Sequence, residues 1–66
     1  MRSQLKAARI NAGYTQHQLA IRLGVSQQTV SKYEAEIITP GHFKTIRDFE
    51  RLLGVEAEQL FPDIFG

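Results

Sequence analysis

The 66-residue sequence contains no cysteine, only two prolines, and no acidic residue before Glu34. Without cysteine, neither disulfide bonds nor thiolate metal ligands are available to stabilise the chain. No run approaches the roughly 20 apolar residues that a membrane-spanning helix requires, and no charged-then-apolar segment of the kind that directs secretion opens the sequence. We therefore expect a cytoplasmic protein stabilised by packing alone.

Hydrophobic residues make up 42% of the chain. This is enough for one hydrophobic core, and it argues against a disordered tail. A chain of this length buries a smaller fraction of its surface on folding than a larger domain does, so its stability margin is thin. We predict one small domain that spans residues 1–66.

Charge is divided unevenly between the two halves of the chain, although the net charge is only +1. The basic residues up to position 33 are Arg2, Lys6, Arg9, Arg22 and Lys32. The remaining residues contain three basic and seven acidic side chains. Such asymmetry arises by chance in some short chains, but it is also typical of a first half that faces a polyanion.

Two segments in the first 23 residues have apolar residues at helical spacing. The first helix is predicted from about Ser3 to Ala12, and Gly13 ends it. Its apolar face consists of Leu5, Ala8 and Ala12. Thr15 fits the N-cap of a second helix, with Gln18 as the reciprocal partner of a capping box. The buried stripe of this second helix consists of Leu19, Ala20 and Leu23.

A tight turn at Gly24 joins the second helix to a third, because glycine adopts the left-handed backbone conformation at no steric cost. Ser26 caps the third helix, which buries Val30 and Tyr33 and ends near Ala35. Two short helices joined in this way form the layout of a helix-turn-helix, whose second helix enters a DNA major groove.

The second half of the chain predicts two more helices. After a loop at residues 36–41, in which Pro40 prevents helix formation, a fourth helix runs from about Phe43 to Leu53. Its apolar face consists of Ile46, Phe49, Leu52 and Leu53. A short fifth helix covers about Glu56 to Phe61 and is closed by Pro62. With no strand signal, the fold class is all-α, a five-helix bundle.

Three segments carry a resemblance to a known family: LKAAR, YTQHQLAIRLGVSQQTVSKYE and LLGVEAEQLF. Over roughly Leu5 to Phe61 the chain resembles the phage-repressor and Cro family of helix-turn-helix proteins, also called the XRE family. The residues at the family's motif positions are Gln16, Ala20, Gly24, Val25, Val30 and Tyr33. The resemblance implies a bundle of the lambda-repressor-like DNA-binding type. It also implies a sequence-specific regulator of transcription that binds double-stranded DNA, in the first place a repressor.

The outward residues of the third helix are candidate base contacts, since Val30 and Tyr33 hold its other face against the core. They are Gln27, Gln28, Ser31 and Lys32. A glutamine amide both donates and accepts, which matches adenine N6 and N7, while lysine reaches guanine or a phosphate. Candidate contacts to the DNA backbone are Gln16, His17, Arg22 and Ser26, with Gln16 assigned by the resemblance. The alternative for each residue is an ordinary solvated side chain.

The resemblance also implies a structural ion pair between Arg9 in the first helix and Glu34 at the end of the third. The sequence departs from the family after this point, because Glu36 and Ile37 replace a usual glycine and a basic phosphate contact. A left-handed turn at Glu36 is then either lost or strained. Ile37 and Ile38 either fold inward as part of the core or form a protein contact.

We expect a homodimer that associates through its C-terminal region and binds a palindromic operator. Val55 and Leu60 are expected in the core, and Glu56 to Gln59 near the two-fold axis. At least one of Phe61, Ile64 and Phe65 is expected to be exposed. Rival functions are an antitoxin of a toxin–antitoxin pair, a restriction-modification controller, and a module that binds only proteins. We expect no enzyme, no cofactor and no metal site, because His17 and His42 have no second ligand at metal spacing.

Overall fold

The computed structural model describes residues 1–65, and the regular structure within that range is entirely helical. The helices are α1 (Ser3–Asn11), α2 (Gln16–Leu23), α3 (Gln27–Glu34), α4 (Phe43–Leu53), α5 (Ala57–Leu60) and α6 (Pro62–Phe65). The all-α fold class is confirmed, but the predicted count of five helices becomes six. Pro62 does not simply close α5: it begins a further helical turn, a position that proline favours because its missing N–H is not needed there.

The two helices of the helix-turn-helix begin with the side-chain caps that the sequence predicts. The Thr15 hydroxyl accepts a hydrogen bond from the Gln18 N–H at 3.0 Å, and the Gln18 side chain accepts one from the Thr15 N–H at 2.9 Å. The Ser26 hydroxyl accepts from the Thr29 N–H at 3.1 Å. These bonds satisfy N–H groups that have no partner within the helix, so they define where α2 and α3 start.

The first three helices each end near a residue in the left-handed conformation: Gly13 (φ 86°), Gly24 (φ 73°) and Glu36 (φ 65°). After α3, the Glu36 N–H donates to the Tyr33 carbonyl at 3.3 Å, and the Ile37 N–H donates to the Lys32 carbonyl at 2.9 Å. These are the paired hydrogen bonds of a Schellman motif. The turn at Glu36 is therefore made, at a backbone conformation that costs a non-glycine residue roughly 1 to 2 kcal/mol.

The core lies where the first five helices meet. Its largest fully buried side chains are Phe49, Phe61, Leu5, Leu19, Leu60 and Val30. The Phe49 ring meets those of Tyr33 and Phe61 edge to face, with centroids 5.8 and 5.4 Å apart. This row of three aromatic rings joins α3, through α4, to the residue between α5 and α6, and it stabilises the fold beyond the area it buries.

Ile37 and Ile38 are exposed, with 68% and 38% of their surface accessible, so of the two alternatives the one in which they fold inward is wrong. The left-handed turn at Glu36 leads the backbone away from α3, and the aromatic row already occupies the core beside that helix. Three other predicted core positions, Leu23, Leu52 and Val55, are only partly buried. Ala12 is exposed because it is the C-cap of α1 and no longer part of its inner face.

The large apolar residues at the C-terminal end are buried up to Phe61 and exposed after it. Leu60 is fully buried, and so is Phe61, because its ring completes the aromatic row. Ile64 and Phe65 keep 41% and 38% of their surface accessible. The prediction that at least one of the last three large apolar residues is exposed is therefore confirmed for two of them.

Candidate nucleic-acid interface

The third helix has one face in the core and one face in solvent. Val30, Tyr33 and Glu34 are its buried residues. Its exposed residues include Gln27, Gln28, Ser31 and Lys32. The packing of α3 against α2 is the most extensive between any two of the described helices, and the small side chain of Ala20, only 2% exposed, permits a close approach. The helix is thus held firmly from behind while its polar side chains stay free.

A shallow cleft of about 520 Å³ lies between the start of α2 and the exposed face of α3. Its lining consists of Gln16, His17, Gln27, Gln28 and Ser31. Lys32 lies one helical turn beyond Gln28 on the same helix. The structure therefore brings five of the eight predicted DNA contacts to one surface.

Two of the remaining predicted contacts are placed differently. Arg22 lies near the far end of α2 and lines a separate depression with Tyr14 and Gln18. The Ser26 hydroxyl is engaged as the cap of α3 and lies 2.9 Å from the Thr29 hydroxyl. Neither residue lines the cleft, so each is a weaker candidate for contact with the same ligand.

The predicted pair of Arg9 and Glu34 is present and buried. The Arg9 Nε donates to Glu34 Oε2 at 2.6 Å, and the two side chains are 9% and 3% exposed. Arg9 Nη1 also donates to the Tyr14 carbonyl at 2.9 Å. A charge-assisted pair of this kind ties α1, the α1–α2 turn and the end of α3 together.

Gln16 extends this pair to the surface. Its amide Nε2 donates to Glu34 Oε1 at 3.1 Å, which fixes the side chain at the rim of the cleft. A glutamine amide carries two N–H groups, so one remains for a further partner. The carboxylate of Glu34 therefore serves two purposes: it neutralises Arg9 and it orients Gln16.

Sequence reasoning missed a second buried arginine, Arg2, whose side chain is 1% exposed. Its acceptors are the carbonyls of Tyr33 (2.6 Å) and Ile38 (2.8 Å), the Thr39 hydroxyl (2.8 Å), and Asp63 Oδ1 (3.0 Å) and Oδ2 (2.8 Å). No local pattern marks Arg2 in the sequence, because each of its partners lies at least 31 positions away.

The charge of the first half is smaller at the surface than the sequence suggests. Of its five basic residues, Arg2 and Arg9 are buried and paired with carboxylates. The three exposed ones are Lys6, Arg22 and Lys32. The interpretation of the whole first half as a basic surface is therefore corrected to a few separate exposed cations.

Two aspartates titrate below their ordinary range because basic side chains hold them in the charged form. Hydrogen bonds from Arg2 lower the pKa of Asp63. Hydrogen bonds from Lys44, and then from Arg51, lower the pKa of Asp48 on the surface of α4. Both carboxylates are therefore charged at neutral pH, but only Asp63 connects distant parts of the chain.

Within residues 1–65, no three side chains of histidine, cysteine, aspartate or glutamate gather as a metal site would require. None of the helices described here has the length and hydrophobicity to cross a membrane. The candidate site is the polar cleft at α3, because five of the eight predicted contacts line it.

A helix-turn-helix held against a small helical core, with a polar outer face on its second helix, defines a class of DNA-binding proteins. A family model described as helix-turn-helix matches residues 5–60. The chain therefore belongs to the XRE family of helix-turn-helix proteins, a family of DNA-binding regulators that are generally not enzymes. Comparison with curated proteins and with solved structures gave no significant match.

Proposed function

We propose that the protein is a sequence-specific regulator of transcription, in the first place a repressor, that inserts α3 into the major groove of double-stranded DNA. The observation that supports this function best is the exposed, polar first turn of α3 beside the start of α2. In helix-turn-helix complexes, the N-terminal residues of the second helix contact base edges while the first helix crosses the backbone.

Base recognition is assigned to the exposed side chains of α3. Gln27 and Gln28 occupy its first turn, and either amide matches the donor and acceptor of adenine. Ser31 follows on the same face, and its hydroxyl pairs with either kind of group. Lys32, one turn after Gln28, donates to guanine O6 and N7 or to a phosphate.

Backbone contacts are assigned to the start of α2. Its free N–H groups and the positive end of the helix dipole favour a phosphate at this place. Gln16 has one N–H fixed by Glu34 and a second available for a phosphate oxygen. His17 lines the same cleft. Ser26 and Arg22 complete the proposed set, although both lie outside the cleft.

Dimerisation is assigned to an apolar surface formed by Phe43, Ile64 and Phe65. These residues line one groove of about 220 Å³ together with Pro40, Gly41, His42 and Ile46. Phe43 is 76% exposed, and clustered exposed apolar side chains are typical of protein contacts. A second copy is the expected partner because one recognition helix contacts too few base pairs for a genome-scale search.

The two-fold axis of this dimer is expected near residues 56–59, where Glu56, Glu58 and Gln59 are exposed. Glutamates that face each other across the axis repel, so association is weak in free solution and firm on a palindromic operator. Ultracentrifugation at high protein concentration, with and without the operator, tests this. A monomer on a single half-site at saturating protein contradicts the dimer.

Selection of bound duplexes from a random pool tests the function itself. We expect a palindromic consensus with half-sites one helical turn apart, roughly 34 Å. The double variant Gln27→Ala/Gln28→Ala should lose or change the consensus. The matched control, Gln4→Ala/Asn11→Ala, alters two exposed amide side chains that line a different groove and should retain it. A parent protein that enriches no sequence contradicts the proposed function.

The salt dependence of binding provides a second test. Because only a few cations are exposed, we expect a shallow slope that corresponds to about 4 to 6 phosphates per dimer. An affinity that does not change between low and moderate salt would exclude contact with the DNA backbone.

A further inference from the structure

All five N–H groups of the Arg2 guanidinium have an acceptor. Nε and one Nη2 hydrogen are used by Asp63, the other Nη2 hydrogen by Thr39, and the two Nη1 hydrogens by the carbonyls of Tyr33 and Ile38. The guanidinium also lies 5.2 Å from the centroid of the Phe61 ring. A buried arginine with every donor satisfied is held in one orientation, so it acts as a rigid connection between its partners.

This connection joins α6 to the recognition helix. Among the described residues, α5 is the only helix that packs extensively against α6. Asp63 lies within α6, whereas the Tyr33 carbonyl belongs to the last turn of α3. A hydrogen-bonded path from α6 to α3 therefore runs from Asp63 through Arg2 to the Tyr33 carbonyl.

The apolar surface depends on this path, because Ile64 and Phe65 follow Asp63 directly in α6. We propose that Arg2 is a positioning residue which, through Asp63, fixes these two side chains relative to α3. This inference rests on the proposed function, and it adds that the Arg2–Asp63 pair sets the distance and rotation between the two recognition helices of a dimer.

The spacing of half-sites on DNA makes this proposal testable. One inserted base pair turns one half-site relative to the other by roughly 35° about the DNA axis and moves it by about 3.4 Å. A dimer with fixed recognition helices cannot bind both half-sites of such a site at once. It therefore loses the added affinity that comes from occupying both half-sites. A dimer whose α6 is loosely held follows the displaced half-site.

The variant Asp63→Asn removes the charged pair while leaving the size of the side chain unchanged. Arg2, 1% exposed at its side chain, keeps its neutral acceptors on Tyr33, Ile38 and Thr39, and a thermal melt shows whether the variant stays folded. Asp48→Asn is the matched control, since Asp48 also pairs with basic side chains but only within α4. Affinities are measured for one half-site, for the selected palindrome, and for palindromes with one base pair inserted or removed.

The expected result is a change in spacing preference alone. The parent and Asp48→Asn should lose about tenfold or more in affinity on the altered palindromes, and Asp63→Asn less than about threefold. Affinity for a single half-site should be equal in all three proteins. Asp63→Glu keeps a carboxylate for Arg2 and should restore the preference of the parent.

Amide hydrogen exchange gives a reading that does not depend on DNA. The Ile64 and Phe65 N–H groups donate to the Phe61 carbonyl, and both should exchange faster in Asp63→Asn while the Val30 N–H is unchanged. Unchanged exchange at these two amides overturns the inference.

Two DNA results also overturn the inference. One is an unaltered spacing preference in Asp63→Asn. The other is an equal loss of affinity for the half-site and the palindrome, which would give Asp63 only a role in stability. Failure of the parent to select any palindrome contradicts the proposed function instead. These failures are therefore distinguishable.

Discussion

The helix-turn-helix, residues 15–35, and the surface formed by residues 36–43 and 62–65 are built on different principles. In the helix-turn-helix, both helices begin with a side-chain cap and are joined at a glycine, and the exposed face of α3 is polar. In the second region, the turn is made by Glu36, and large apolar side chains such as Phe43 are exposed. The first region is suited to bases and phosphates, and the second to protein.

The two regions also differ in how they are fastened. The recognition helix is supported by Arg9 and Glu34, both nearly inaccessible to water. The second region is fastened through Asp63, which remains partly exposed. In both pairs the arginine is a buried member, and removing its carboxylate leaves that charge in the interior. Arg2 then keeps three neutral oxygen acceptors, whereas Arg9 keeps one, the Tyr14 carbonyl. The loss of stability should therefore be larger in the first region, where it appears as unfolding, than in the second, where it appears as altered geometry.

The largest effect is expected for Glu34→Ala, since it leaves Arg9 buried without a carboxylate and removes an acceptor of Gln16. Breaking a buried pair costs about 3 to 5 kcal/mol, against a total stability of roughly 5 kcal/mol for so small a domain. We therefore expect Glu34→Ala to be largely unfolded, and Arg9→Ala to behave similarly. Thermal melts followed by circular dichroism measure this.

The exposed pair of Lys44 and Asp48 provides the control for that experiment. Because Lys44 is largely solvated, Lys44→Ala should leave the melting temperature close to that of the parent. Glu34→Ala and Arg9→Ala variants that melt with the parent would show that the buried pair does not support α3.

The next effect concerns DNA binding rather than stability. Gln28→Ala removes one bidentate pair of hydrogen bonds to a base, so it should weaken binding to the selected site by about 1 to 3 kcal/mol and relax the preference at one base position. Gln16→Ala should weaken binding to all sequences alike, because a phosphate contact carries no sequence information. Titration on the selected site and on random DNA separates the two, and an equal reduction on both for Gln28→Ala would assign it to the backbone.

The sequence predicted contacts between residues that are close along the chain better than contacts between distant residues. Thr15 and Gln18 are three positions apart, so the capping box and the start of α2 could be read directly. Arg9 and Glu34 are 25 positions apart, and only the resemblance to a family indicated their pairing. Such pairings depend on how the helices pack, which local pattern does not specify.

The burial of Arg2 could not be predicted from the sequence. Its contact with Asp63 spans 61 positions, and nothing in the neighbouring sequence distinguishes it from Lys6, which is exposed. Arg2 is buried among acceptors that α6, the last turn of α3 and the following loop contribute, and α6 itself was not predicted. For the same reason the sequence left open whether Ile37 and Ile38 fold inward or face outward.

The smallest effect is expected at the turn that separates the two regions. Glu36 occupies the same place in its Schellman motif as Gly13 and Gly24 do in theirs, with φ values of 65°, 86° and 73°. A side chain at such an angle costs roughly 1 to 2 kcal/mol, and the greater freedom of glycine in the unfolded chain offsets about half of this. We therefore expect Glu36→Gly to raise the free energy of unfolding by about 0.5 to 1 kcal/mol.

Glu36→Ala is the matched control for this prediction. It removes the same carboxylate, which makes a long and exposed contact of 3.5 Å with the N-terminal ammonium. It keeps a Cβ atom in the left-handed conformation. Urea denaturation should therefore rank Glu36→Gly above Glu36→Ala in stability, because the two variants differ only by the Cβ atom held in the left-handed conformation. If the two variants are equally stable, the turn carries no strain, and the difference between this helix end and those at Gly13 and Gly24 has no energetic consequence.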